Sequence, residues 1–184
     1  MKKTGRKRHN SRVKKVKHLR NIVFIALGSN KGNRINYLRR AVSELTHDSK
    51  LKVVASSSVY ETKPFGDVNQ ADFLNAVIKV KTSYLLIEMF DFLKQLEVEL
   101  GRRESTKWGP REIDLDLLFF NDFIFNNEKL TVPHFGIQDR DFVLVPLKEI
   151  ASEYFHPALK KKISDICIED IPQTVIRKTR YRII

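Results

Sequence analysis

The stretch Ile113-Asp114-Leu115-Asp116-Leu117-Leu118-Phe119-Phe120 decides the fold, because it reads as the strand that closes a β-α-β-β-α-β series. Its side chains alternate, so Ile113, Leu115 and Leu117 point one way and Asp114 and Asp116 the other. Upstream, Leu86, Met89, Leu93, Leu96 and Leu100 step by three and four, an amphipathic helix that Gly101 ends. Before that helix, Asn75–Thr82 reads as a strand with Ala76, Ile78 and Val80 on one face, and Leu51–Tyr60 as another. Ile35, Leu38, Val42 and Leu45 mark a first helix, capped near Asn33. The apolar run Ile22–Leu27, closed by Gly28-Ser29-Asn30, suits a central strand. This order predicts a ferredoxin-like α+β sandwich, a mostly antiparallel sheet with helices packed on it. Glu61–Asp72 and the basic segment Arg102–Arg111 lack periodicity and read as long loops, which in compact domains are often functional. Past Asn121 the pattern weakens, apart from the apolar stretch Phe142–Ile150.

The chain has 184 residues, 42% hydrophobic, which suits one domain with a proper core and excludes collagen-like, mucin-like and wholly disordered chains. A single cysteine, Cys167, excludes an internal disulfide framework and a cysteine-based zinc module. No apolar run approaches the roughly 18 residues that a membrane span needs. The net charge of +12 is unevenly placed: residues 1–20 carry ten Lys or Arg and no acid, whereas the remainder holds 24 basic and 22 acidic residues. The chain therefore divides into a basic, disordered arm over 1–20 and a single domain over 21–184 with a basic tail from about residue 177. The arm reads either as a solvated extension or as a tether to nucleic acid through phosphate contacts. The expectation is a soluble, cytoplasmic monomer that touches no membrane, and nucleic acid only through the arm.

Residues i and i+2 of a strand lie about 6.5–7 Å apart, so Asp114 and Asp116 can jointly hold divalent cations roughly 3.5–4 Å apart. The alternative is a half-exposed strand with acids on its wet face. Arg102, Arg103, Lys107 and Arg111 precede the pair, and His134 and Arg140 follow it. Metal-binding acids beside guanidinium groups are what a polyphosphate substrate needs. No glycine-rich phosphate loop occurs, so nucleotide chemistry here rests on Mg²⁺ and arginine. Trp108 in a polar loop, with Phe73 and Phe142, offers rings able to cover a flat heterocycle, or else ordinary core. Asn75 offers both donor and acceptor to a ring edge.

Leu27-Gly28-Ser29-Asn30, Tyr60-Glu61-Thr62, Asp72-Phe73-Leu74-Asn75-Ala76, Trp108-Gly109-Pro110-Arg111, Ile113-Asp114-Leu115-Asp116 and Thr131-Val132-Pro133-His134 occur in that order. Together they resemble the 6-hydroxymethyl-7,8-dihydropterin pyrophosphokinases of folate biosynthesis over roughly residues 22–160. The resemblance implies transfer of diphosphate from ATP to the pterin hydroxymethyl group with release of AMP, a ferredoxin-like fold, three mobile loops and two Mg²⁺ ions. It implies Asp114 and Asp116 as metal ligands, and Arg102 and Arg111 as catalytic arginines on the ATP phosphates. Glu97, His134 and Arg140 become further ATP contacts. Thr62, Phe65, Phe73, Asn75 and Phe142 become the pterin site. Phe73 stands where the family often has Tyr, and Lys63 where Pro is common. Two other readings are a ferredoxin-like RNA-binding module with the arm as tether, and another metal-dependent nucleotidyl transferase. The fourth strand opposes the RNA reading, since its two aspartates repel a phosphate backbone.

All of these residues lie after Asn21, so a chain beginning at Arg20 is expected to fold and turn over at the full-length rate. Loss of turnover with ATP and pterin on this deletion would make the arm part of the catalytic unit. Any RNA binding by the full chain should vanish with the arm and weaken steeply with salt.

Overall fold

The first strand, β1 (Asn21–Ser29), is apolar along its length because both of its faces are covered. Val23, Ile25 and Leu27 share a buried cluster with Leu38, Val42 and Leu45 of helix α1 (Arg34–His47) and Met89, Leu93 and Leu96 of α2 (Leu86–Glu99). Phe24 enters a second cluster with Val143, Leu144 and Leu147 of a third helix, α3 (Asp141–Ala151). The predicted helical stripes are thus core, and the apolar stretch after residue 141 is the helix that covers the opposite face. The computed structural model describes residues 19–66, 69–103 and 109–184. The arm up to residue 18, Lys107 and Trp108 lie outside the described residues.

Local chemistry accounts for the helix ends. The Asn33 side chain accepts the Asn36 N–H at 3.2 Å and caps α1. Gly101, at φ +99°, ends α2 in a conformation that only glycine adopts without strain.

Strands β2 (Leu51–Ser56) and β3 (Tyr60–Thr62) both pair with β4 (Phe73–Thr82), which pairs with β1, which pairs with β5 (Asp114–Phe120). Every one of these pairings is antiparallel, the predicted ferredoxin-like arrangement. The predicted strand Leu51–Tyr60 is interrupted at residues 57–59. There Ser57 accepts the Val77 N–H on its own hydroxyl at 2.9 Å, and the Ser58 N–H turns to Glu149 of α3 at 2.9 Å. Glu61 and Thr62 belong to β3, so the loop expected from Glu61 begins two residues later. Two short ribbons follow β5, β6 (Phe125–Asn126) with β7 (Thr131–Val132) and β8 (Phe155–His156) with β9 (Lys161–Lys162). The chain then returns as β10 (Val175–Lys178) alongside β3. Residues 177 and 178, read as the start of a basic tail, are therefore strand: Arg177 pairs with Glu61 at 2.6 Å and Lys178 with Glu149 at 3.1 Å.

Glu149 ties α3 to the sheet, accepting hydrogen bonds from the Ser58 N–H and hydroxyl, the Tyr60 hydroxyl and Lys178. Burial pushes its pKa up, but these donors, led by Ser58, outweigh burial and hold it below the ordinary carboxylate value. Burial and the same carboxylate push the Tyr60 phenol up to about 12. A carboxyl whose folded-state pKa is lowered stabilises the protein above its unfolded pKa, and that contribution is lost as pH falls through the folded value. Glu149→Gln is therefore expected to cost about 1 kcal/mol near neutral pH, since the carboxylate is partly screened by solvent, and to match the parent once the native carboxyl is protonated. Urea unfolding at about pH 7 and about pH 3 checks this; an undiminished difference in acid would rule out the charge as its origin.

Candidate active site

Register builds the floor of a cleft. Gly28 of β1 lies opposite Asn75 of β4 on one side and Asp114 of β5 on the other, and Ala26 lies likewise between Val77 and Asp116. Neighbouring strands are about 4.8 Å apart, which sets the Asn75 and Asp114 backbones about 10 Å apart across the glycine. A Cβ at Gly28 would stand 2.9 Å from Asn75 Oδ1, so the absence of a side chain keeps this floor flat. Thr62, Phe65, Phe73, Asn75, Arg111, Asp114, Asp116, Arg140 and Phe142 all line this one cavity, together with Lys63 and Gln70. Of the predicted site residues, Glu97, Arg102 and His134 are not part of its lining, though Arg102 is hydrogen-bonded to Asp114.

At the β4 end the cavity is aromatic. Asn75 is buried and donates from Nδ2 to Thr62 Oγ1 at 2.8 Å, which orients its amide. Phe65 meets Phe142 edge to face, with centroids 5.9 Å apart, so Phe65 rather than Phe73 is the ring against Phe142 here. The Arg140 guanidinium lies 5.5 Å from the Phe65 ring and 5.9 Å from that of Phe142.

At the β5 end it is charged. Asp114 accepts from Arg102 Nη1 at 2.7 Å on one oxygen and from Arg111 Nη1 at 2.5 Å on the other. Burial pushes the Asp114 pKa up, but the two guanidinium groups outweigh it and hold the carboxyl below its ordinary value. Glu97 is buried and accepts from Arg102, from Lys94 Nζ at 2.8 Å and from the Leu115 N–H at 2.6 Å. Burial pushes the Glu97 pKa up, against the pull of Lys94. His134 Nδ1 accepts the Gly136 N–H at 3.1 Å, and burial, opposed by Asp116, lowers its pKa and favours the neutral ring.

Two residues went unassigned in the sequence. Lys94 holds Glu97, the Leu115 carbonyl at 2.9 Å and, at 3.7 Å, Asp116; its only signal is the three-residue step to Glu97. Asn30 ends one of the quoted motifs. Its Oδ1 accepts the Arg111 N–H at 2.7 Å, its own N–H donates to the Arg111 carbonyl at 3.1 Å, and its Nδ2 donates to Gln70 Oε1 and the Ala71 carbonyl. One side chain thus ties together the loops before β4 and before β5.

Asp114 and Asp116 share the cleft face of β5 and offer hard oxygen donors. Among the described residues no group of three or more His, Cys, Asp or Glu converges. Such a pair suits Mg²⁺, which keeps several waters and takes phosphate oxygens, rather than a zinc cage. Asn30→Ala is expected to speed amide exchange at Arg111 by about tenfold or more while leaving β1 protected. Unchanged exchange at Arg111 would show that the loop is held elsewhere.

Comparison with known proteins agrees with this geometry. The family described as 7,8-dihydro-6-hydroxymethylpterin-pyrophosphokinase (HPPK) matches residues 24–152. A 2-amino-4-hydroxy-6-hydroxymethyldihydropteridine pyrophosphokinase of Aquifex aeolicus is 43% identical over 143 residues, covering 78% of this chain and 88% of that protein. The Bacillus subtilis protein of the same name is 46% identical over 135 residues, covering 73% and 81%. A crystal structure of wild-type Plasmodium falciparum HPPK-DHPS superposes with a TM-score of 0.63 at 18% identity, over 79% of this chain and 44% of that longer one. The fold is thus shared with distant structures and the sequence with nearer relatives: the chain belongs to the 7,8-dihydro-6-hydroxymethylpterin-pyrophosphokinase family.

Proposed function

We propose that the chain transfers diphosphate from ATP to the hydroxymethyl group of 6-hydroxymethyl-7,8-dihydropterin, releasing AMP, in folate biosynthesis. It works as a cytoplasmic monomer. The observation that carries this reading is a single cleft with an aromatic, amide-bearing end and a carboxylate–guanidinium end, joined across Gly28. The pterin ring lies against Phe65, Phe73 and Phe142 with its edge on Asn75 and Thr62, and the triphosphate lies toward Asp114. Among the described residues no helix is long and apolar enough to cross a membrane.

In the transfer the pterin hydroxyl oxygen bonds to the β-phosphorus and gives up its proton to bulk water, as the bridge to the α-phosphate breaks and its electron pair leaves with AMP. Arg102 and Arg111, paired with Asp114 in this structure, exchange that carboxylate for phosphate oxygens, where their planar forks match developing charge and exclude water. Asp114, released from those arginines, and Asp116 are the residues that would hold Mg²⁺. When bound there, the ion would supply charge neutralisation on the phosphates. Glu97 keeps Arg102 and β5 in place, His134 and Arg140 extend the phosphate side, and Asn75 fixes the ring so that its hydroxymethyl arm faces Gly28. The RNA-binding alternative requires an open sheet face, and here α1 and α2 cover one face and α3 the other.

With ATP, Mg²⁺ and the pterin, the protein is expected to form AMP only when pterin is present; ADP, or turnover without pterin, would overturn the reading. Asp114→Ala and Asp116→Ala should nearly abolish turnover without unfolding the chain. Arg102→Ala and Arg111→Ala should each cost about 3 kcal/mol in the transition state, seen as a fall in kcat far larger than any rise in pterin KM. Phe142→Ala should chiefly raise the pterin KM. An Arg111→Ala variant altered only in pterin affinity would misplace that residue.

A further inference from the structure

Asp141 is fully buried, and among the described residues it meets no cation; it accepts three hydrogen bonds from the returning carboxyl-terminal segment instead. The Thr174 N–H donates to Oδ2 at 2.5 Å, the Val175 N–H to the same oxygen at 2.7 Å, and the Thr174 hydroxyl to Oδ1. Thr174 in turn accepts the Lys63 N–H on its carbonyl at 2.8 Å. It lies beyond the stretch matched by the family, residues 24–152.

The residues attached to this junction are cavity walls. Asp141 is flanked by Arg140, the last extended residue before α3, and by Phe142, and both line the cleft. Lys63 begins the loop that carries Phe65. Phe65 and Phe142, with rings 5.9 Å apart, stand on segments far apart in sequence. Both segments are hydrogen-bonded to the same threonine. Register continues the tie, with Val175 opposite Thr62 and Arg177 opposite Glu61.

Resting on the pyrophosphokinase reading above, we propose that Asp141 and Thr174 are positioning residues for the pterin end of the cleft. The carboxyl-terminal strand is a strap that sets the distance and tilt between the Phe65 and Phe142 walls. The buried carboxylate suits this role, because three donors aimed at one anion leave the α3 N-terminus a single place to sit. The charged end is anchored separately through Glu97, Lys94 and Asn30, so the strap acts on one substrate more than on the other.

The test is steady-state kinetics on the full chain with each substrate varied at saturating levels of the other. Asp141→Asn turns one acceptor into a donor facing donors. Thr174→Val removes only the hydroxyl and guards against an Asp141 variant that fails to fold. Both are expected to raise the pterin KM by about tenfold, at least five times more than the ATP KM, and Thr174→Ser is expected to restore it. Folded variants with an unchanged pterin KM, or with both KM values raised alike, would overturn the strap, as would a Thr174→Ser variant no better than Thr174→Val. A parent chain that forms no AMP from ATP and pterin would instead overturn the functional reading on which the strap depends.

Discussion

The antiparallel register of β1 with its two neighbours is the constraint on which the site depends. Gly28 faces Asn75 and Asp114 in one row, so the aromatic end and the charged end of the cleft are set by backbone hydrogen bonds. A slip of β5 by one residue against β1 would turn its aspartates to the α1–α2 core. It would bury Asp114 and Asp116 without partners and expose Leu115 and Leu117. The core thus enforces the register, and the register delivers the site.

That arrangement places charge at an edge strand, where it serves two ends. Among the described residues β5 pairs only with β1, which leaves the Leu115 N–H and carbonyl without ladder partners there; Glu97 and Lys94 of α2 take them. Edge protection and charge placement are therefore one device. Around it stand three cations, Arg102, Arg111 and Lys94, and three carboxylates, Glu97, Asp114 and Asp116. So balanced a cluster is stable as it stands, since each buried charge has a partner. Any polyanion bound there must compete with those carboxylates for the same guanidinium groups.

The helices and long strands were readable because each carries a period of its own. The leucine stripe of α2 and the aspartates of β5 repeat at the spacing their backbone requires, and the pocket residues follow from ordered motifs on those elements. What escaped depends on partners distant in sequence. Ser57 replaces a ladder hydrogen bond with a hydroxyl, so the break between β2 and β3 leaves no mark in a run that still looks extended. The Asn30 clamp reaches 81 residues forward, and no local pattern encodes it. β10 is short and largely exposed, with no alternation to betray it.

α3 shows why the second face was the harder one. It has Pro146 in its middle, which removes one backbone donor and blurs the helical signal. Phe24, Val77 and Phe119, on the sheet face it covers, sit in strands whose other face is equally apolar. A run apolar on both faces announces burial but not what buries it. Here the second cover is a helix whose first turn points Phe142 into the cleft and whose polar side, through Asp141 and Glu149, grips the last strand. The cleft is thus the gap beside the first turn of α3, at the row where Gly28 has no side chain to fill it.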